Sequence, residues 1–160
     1  GAGIHMIDLV MWILNSRPKY VSAFANDIVT KNTVFKKNSF VLILLEFPNK
    51  ILVKISANAA GVYKHFHEIK VFEKNKTFSH TYSNTFNFEM KKKKTIFNKI
   101  SSNYPAKKNR KNLIHNFVDS LREKKNKQII TLKEQMDVMS VCFASEKSLK
   151  LKKKIKVKYL

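Results

Sequence analysis

Between Lys19 and Phe88 the apolar side chains recur with period 2 or run without a break, and the gaps between runs are short. Gaps of that size hold turns but not crossover helices, so consecutive strands must pair antiparallel and βαβ architectures are excluded. Val21–Val29 and Phe40–Phe47 read as strands, the second buried on both faces. Pro48-Asn49 supplies a turn, and Ile51–Asn58 returns with Ile51, Val53, Ile55 and Ala57 on one face. His65–Glu73 and Thr77–Tyr82 read as a further hairpin around Lys74-Asn75, followed by a short strand at Thr85–Phe88.

Helical periodicity flanks this block. Ile4, Ile7, Met11 and Leu14 form one stripe and His5, Asp8, Leu9 and Trp12 another, until Asn15-Ser16-Arg17-Pro18 breaks the helix. Met90–Asn112, rich in Lys and Asn and carrying Lys91 to Lys94 and Pro105, reads as a loop. A helix over Arg110–Lys125 is expected to bury Leu113, Ile114, Phe117, Val118 and Leu121. Thr131-Leu132-Lys133-Glu134 is a capping box, opening a helix whose inner face would be Met136, Met139, Phe143 and Ala144. Lys154–Tyr159 alternates like an edge strand guarded by lysines. The expectation is a single α+β domain over residues 1–160. It has an open, mostly antiparallel sheet, helices packed on one face and a loop at about 90–110.

Composition removes several function classes. At 44% apolar residues the chain is too hydrophobic for a disordered basic tail. Its longest unbroken apolar run, Phe40–Leu45, is far short of the ~20 residues that span a bilayer, so no membrane partner is expected. Cys142 is the one cysteine, which excludes an internal disulfide and suits a reducing compartment; together with the lack of a leader pattern this predicts a cytoplasmic protein. The net charge is +21, yet every basic residue except Arg17, Arg110 and Arg122 is lysine, and glycine occurs only at positions 1, 3 and 61. Sequence-reading proteins lean on the planar fork of arginine. Lys, Asn, Ile and Phe rising together while Arg, Gly, Ala and Pro fall follows A+T-rich codons. Nucleic acid is therefore not the expected partner, and a basic module binding nucleic acid or an acidic protein stands as the alternative.

No G-x-G-x-x-G, P-loop, G-x-S-x-G, H-E-x-x-H or C-x-x-C is present, and three glycines cannot build a phosphate cradle, so no cofactor site is expected in this chain. His5 and Asp8, at i and i+3 of a helix, share a face. An imidazole suits proton transfer to or from a hydroxyl near neutral pH, although a half-buried polar helix face would show the same spacing. His65 and His67 point the same way if they lie on a strand, with His80 near if the hairpin pairs; no third ligand is evident and no metal is assigned. Cys142, on an apolar helical face, reads as a structural thiol, and Asp119 and Asp137 as solvent-facing or locally paired.

Gly3-Ile4-His5-Met6-Ile7-Asp8-Leu9-Val10-Met11-Trp12 resembles the G-x-H-x-x-D-L-x-x-W-L helix of the glucose–fructose oxidoreductase / inositol dehydrogenase / MocA family, in its C-terminal domain. Ile28–Lys31, His65–His67 and Asp137–Cys142 are similar to a sugar-modifying branch of that family. The resemblance implies an α+β domain whose open sheet forms a substrate-pocket floor and a homo-oligomer interface. It implies a sugar, nucleotide-sugar or polyol substrate, with NAD or NADP bound by an N-terminal Rossmann half that lies outside this chain. By the same likeness His5 would be the catalytic acid/base, with Asp8 and Trp12 lining the pocket and His65 and His67 toward the substrate or the sheet interface. Gly1 stands where many members place an Asp, and Glu73 and Lys76 replace hairpin glycines. A helix opening without a cap reads as a domain entered partway through, and this chain alone is expected to be inactive.

Overall fold

The computed structural model describes residues 3–35, 37–101, 109–122 and 128–160. The fold is α+β, with three helices and two antiparallel four-stranded sheets instead of the one sheet expected. The chain divides into two compact units, residues up to Gly61 together with Ile130–Leu160, and Val62–Ile129.

The first unit begins with α1 (Gly3–Leu14). Its end is set by Asn15, which takes the left-handed conformation (φ 42°) that asparagine tolerates, while Ser16 N–H returns to the Met11 carbonyl at 3.2 Å. Pro18 then prevents any continuation. Strands β1 (Tyr20–Asn26), β2 (Phe40–Glu46) and β3 (Leu52–Asn58) pair in full register, Ala23 against Ile43 and Ile43 against Ile55. The first strand is shorter than predicted, because a turn closed by Thr30 N–H on the Asp27 carbonyl (2.9 Å) takes Ile28 and Val29 out of it.

Helix α3 (Leu132–Leu151) starts at the predicted capping box: Thr131 Oγ1 accepts from Glu134 N–H at 3.2 Å and Glu134 Oε2 accepts from Thr131 N–H at 2.7 Å. Its inner face is not the Met and Phe stripe expected. The buried positions are Asp137, Val138, Ser140, Val141, Ala144, Ser145 and Ser148, whereas Met136 and Phe143 are exposed. Small side chains let the helix lie close to β1, where Ser148 Oγ accepts from Ala23 N–H (3.0 Å) and donates to the Lys153 carbonyl (2.7 Å). The last strand, β8 (Ile155–Lys156), pairs with β1 at the sheet edge, giving the order β3-β2-β1-β8.

The core sits on the helix side of this sheet: Ile7 from α1, Val21, Ile43, Leu45 and Ile55 from the strands, Val138 and Val141 from α3, and Val157. Each such side chain, fully buried, is worth about 1.5–3 kcal/mol. Phe24, Leu44 and Leu52, on the other face of the sheet, are exposed, so β2 is buried on one side only, contrary to the expectation from its continuous apolar run.

The second unit is a meander of β4 (Ile69–Phe72), β5 (Lys76–His80), β6 (Thr85–Lys91) and β7 (Lys94–Ile100), with α2 (Asn109–Arg122) after it. The segment read as a loop from Met90 thus contains the end of one strand and all of another. Lys92 and Lys93 form the connecting turn, both with positive φ (47° and 62°). Lysines at these positions hide a turn that Asn-Gly would have announced. The rest of the expected loop, 102–108 with Pro105, lies outside the described residues. In α2 none of Leu113, Ile114, Phe117, Val118 and Leu121 is buried, so the expected inner face is an exposed apolar stripe. No helix among the described residues is long and apolar enough to cross a membrane.

Candidate functional site

Helix α1 sorts its residues by face. Ile7 is fully buried, and Ile4, Met11 and Leu14 pack beside it, which fixes the rotation of the helix. That rotation turns His5, Asp8 and Trp12 outward, at i, i+3 and i+7. Trp12 is 77% exposed, an indole of large apolar area held in solvent on a rigid element. His5 and Asp8 are exposed as well and form no ion pair with each other, so the carboxylate does not hold the imidazole. The helix presents one titratable nitrogen, one carboxylate and one aromatic surface, all open to a partner.

His65 and His67 belong to the second unit. They lie in an irregular segment ahead of β4, not on a strand as predicted, yet their rings meet edge to face with centroids 4.8 Å apart. His80 closes β5, opposite Ile69, and its Nδ1 is 2.7 Å from Thr85 Oγ1. Among the described residues no three of His, Cys, Asp or Glu are grouped to hold a metal ion. Cys142 is half-buried on α3; burial first, and then the charge of Glu146, push its thiol pKa up, which disfavours the nucleophilic thiolate.

Residues 1–79 match the family model described as the GFO/IDH/MocA C-terminal domain. Over these residues the sequence is that of a GFO/IDH/MocA C-terminal domain. No curated protein sequence matches it. Solved structures share the fold of this GFO/IDH/MocA domain. An NAD-binding protein from Listeria innocua is 16% identical with a TM-score of 0.73, over 97% of this chain and 46% of that one. The UDP-N-acetylglucosamine 3-dehydrogenase of Acidithiobacillus ferrooxidans is 12% identical with a TM-score of 0.74, over 93% and 47%. A levoglucosan dehydrogenase in complex with NADH and L-sorbose is 9% identical with a TM-score of 0.79, over 99% and 49%. The chain therefore spans about half the length of the structures it resembles.

Among the described residues no glycine-turn cradle for a dinucleotide pyrophosphate is formed. Both sheets are antiparallel, and among the described residues no glycine has positive φ, whereas a pyrophosphate cradle needs a glycine turn between a strand and a helix. Sequence reasoning also missed one polar centre. Asp137, expected to face solvent or to pair locally, is 3% exposed and ion-paired to Arg17, distant in sequence. Arg17 lies over the Tyr159 ring, 5.2 Å from its centroid, and Tyr159 Oη donates to the Pro18 carbonyl at 2.6 Å. The available signal was position: Asp137 falls one residue before Val138 and four before Val141, on the buried face.

Proposed function

We infer that this chain is the substrate-binding and oligomerisation portion of an NAD(P)-dependent oxidoreductase acting on a sugar, nucleotide sugar or related polyol in the cytoplasm. NAD or NADP is bound by an N-terminal nucleotide-binding unit, and without that unit the chain is inactive. The observation carrying this reading is the outward face of α1, His5, Asp8 and Trp12, locked in place by the buried Ile7 stripe. In this reading His5 takes the proton of the substrate hydroxyl, Asp8 orients the substrate or the imidazole, and Trp12 walls the pocket. His65 and His67 contribute polar contacts on the substrate side. The nicotinamide, when bound, supplies the hydride acceptor. Names of neighbours, a nucleotide-sugar dehydrogenase and a levoglucosan dehydrogenase, support the substrate class.

In the enzyme reconstituted with its nucleotide-binding unit, His5→Ala lowers kcat by about 10²–10⁴-fold with the fold intact. Unchanged turnover would overturn the assignment.

A second reading, a non-enzymatic basic module for nucleic acid, gains one observation that sequence order concealed. Met90 N–H donates to the Asn75 carbonyl at 2.8 Å, so the β4–β5 and β6–β7 turns share one end of the second sheet. Lys74, Lys76 and Lys91 to Lys94 gather there against Glu73 and Glu89. This reading requires binding that falls steeply with salt; no retardation of a DNA or RNA duplex at roughly 50 mM salt removes it.

A further inference from the structure

The second unit carries a cavity that neither α1 nor the two assigned histidines explain. It encloses about 300 Å³ and is lined by Phe66, His80, Tyr82, Asn84, Thr85 and Ser101, among others. That is the low end of ligand-pocket sizes, roughly 300–1,000 Å³, and suits a single small ring.

One wall is aromatic. Tyr82 meets Phe66 edge-on at 5.1 Å, Phe66 meets Tyr63 at 5.6 Å, and Tyr63 meets Tyr82 at 6.4 Å, with interplanar angles of 60–79°. Three rings braced against one another hold their orientation, yet Tyr63 is 62% and Tyr82 59% exposed. Aromatic surface that is ordered but left in water is poised to take an apolar ligand face. The rest of the lining is largely polar, with Thr81, Ser83, Asn84 and Ser101, and carries one cation, Lys99. Thr81 N–H donates to the Asn84 carbonyl at 2.9 Å and Thr81 Oγ1 accepts from Asn84 N–H at 3.4 Å, which satisfies the turn backbone internally. The Asn84 carboxamide is engaged in none of these bonds. At the back Thr85, 4% exposed, fixes the His80 imidazole through the 2.7 Å contact to Nδ1.

An exposed aromatic face beside an amide, hydroxyls, an imidazole and one lysine, with no carboxylate in the lining, matches the chemistry of a sugar ring: an apolar C–H face and a rim of hydroxyls. We propose that this cavity is a monosaccharide subsite, with Tyr82, braced edge-on by Phe66, stacking on the ring face and Asn84 and Ser101 bonding its hydroxyls. The proposal deepens the sugar-oxidoreductase reading, from which it takes the ligand class; the place comes from the cavity itself.

Titration of the 160-residue chain with N-acetylglucosamine and methyl glucoside, followed by saturation-transfer NMR, tests it. Wild type binds at least one of them with Kd of about 1–10 mM; Tyr82→Ala and Asn84→Ala each weaken binding about tenfold or more, while Tyr82→Phe stays within about threefold. Binding indifferent to Tyr82→Ala and to Asn84→Ala, or no binding at roughly 50 mM sugar, overturns the subsite. A reconstituted enzyme that oxidises no sugar or polyol, with Tyr82-dependent sugar binding intact, instead sinks the oxidoreductase reading and leaves the subsite standing.

Discussion

Asp137 shows how one carboxylate can tie distant segments together. It is buried on α3, pairs with Arg17 at the end of the α1–β1 connection, and lies close enough to Tyr159 for its charge to raise the phenol pKa. Arg17 is partly exposed, so the two halves of the pair are not equivalent. Arg17→Ala strands a buried charge and is expected to cost about 3–5 kcal/mol, whereas Asp137→Asn leaves a guanidinium that water can reach and costs less. Urea unfolding of both variants checks the order. Tyr159 adds a pH dependence. Burial, then Asp137, push its pKa from 10 up to about 12. The fold therefore favours the neutral phenol, and its contribution is complete below pH 10 and lost as pH rises toward 12. Tyr159→Phe, which also forfeits the bond to the Pro18 carbonyl and about 1 kcal/mol with it, should show a stability difference from wild type that shrinks across that window. A constant difference would contradict the assignment.

At the scale of elements, the β6–β7 hairpin carries a local conflict. Two consecutive lysines occupy left-handed positions, each costing roughly 1–2 kcal/mol relative to a residue suited to them. Lys92→Asn with Lys93→Gly should stabilise the hairpin by about that amount and slow amide exchange along β6 and β7. Unchanged exchange would mean the turn is not as described. The same conflict explains why this strand pair was illegible. The apolar residues of β7, Ile96, Phe97 and Ile100, do not alternate, and without a turn signal the segment read as a lysine-rich loop. Where local chemistry agreed with the fold, the elements were legible: Asn15 before Pro18 ended α1, and Thr131 with Glu134 opened α3. The outward placement of His5, Asp8 and Trp12 was legible for the same reason, since a stripe of isoleucines on one side leaves little choice for the other. The inner face of α3 was not, because hydrophobicity points to Met136 and Phe143. Close packing on β1 selects for small side chains instead. Nor was the ring cluster at Tyr63, Phe66 and Tyr82, which joins an irregular segment to a turn that no periodicity links.

For the whole molecule, the exposed apolar side chains of the first sheet bear on assembly. Phe24, Leu44 and Leu52, the last 76% exposed, form apolar surface on strands whose other side is the core. We expect a second copy to cover it, and Leu44→Lys with Leu52→Lys to shift sedimentation toward the monomer; a wild-type chain already monomeric at high concentration in its reconstituted enzyme would refute this. The charge of +21 makes that association salt-dependent, because like-charged copies repel until counterions screen them.

The first unit is built from the two ends of the chain, with the second unit encoded between them. On the ribosome β1, β2 and β3 emerge before the second unit, and α3 and β8, which cover and flank β1, emerge after it. At about 5–20 residues per second, the roughly 70 residues in between impose a wait on the order of 4–14 s. For that interval the nascent sheet has water or a chaperone on the side meant for Val138 and Val141. A ribosome that stalls or terminates in the second unit would release a chain whose first core cannot close.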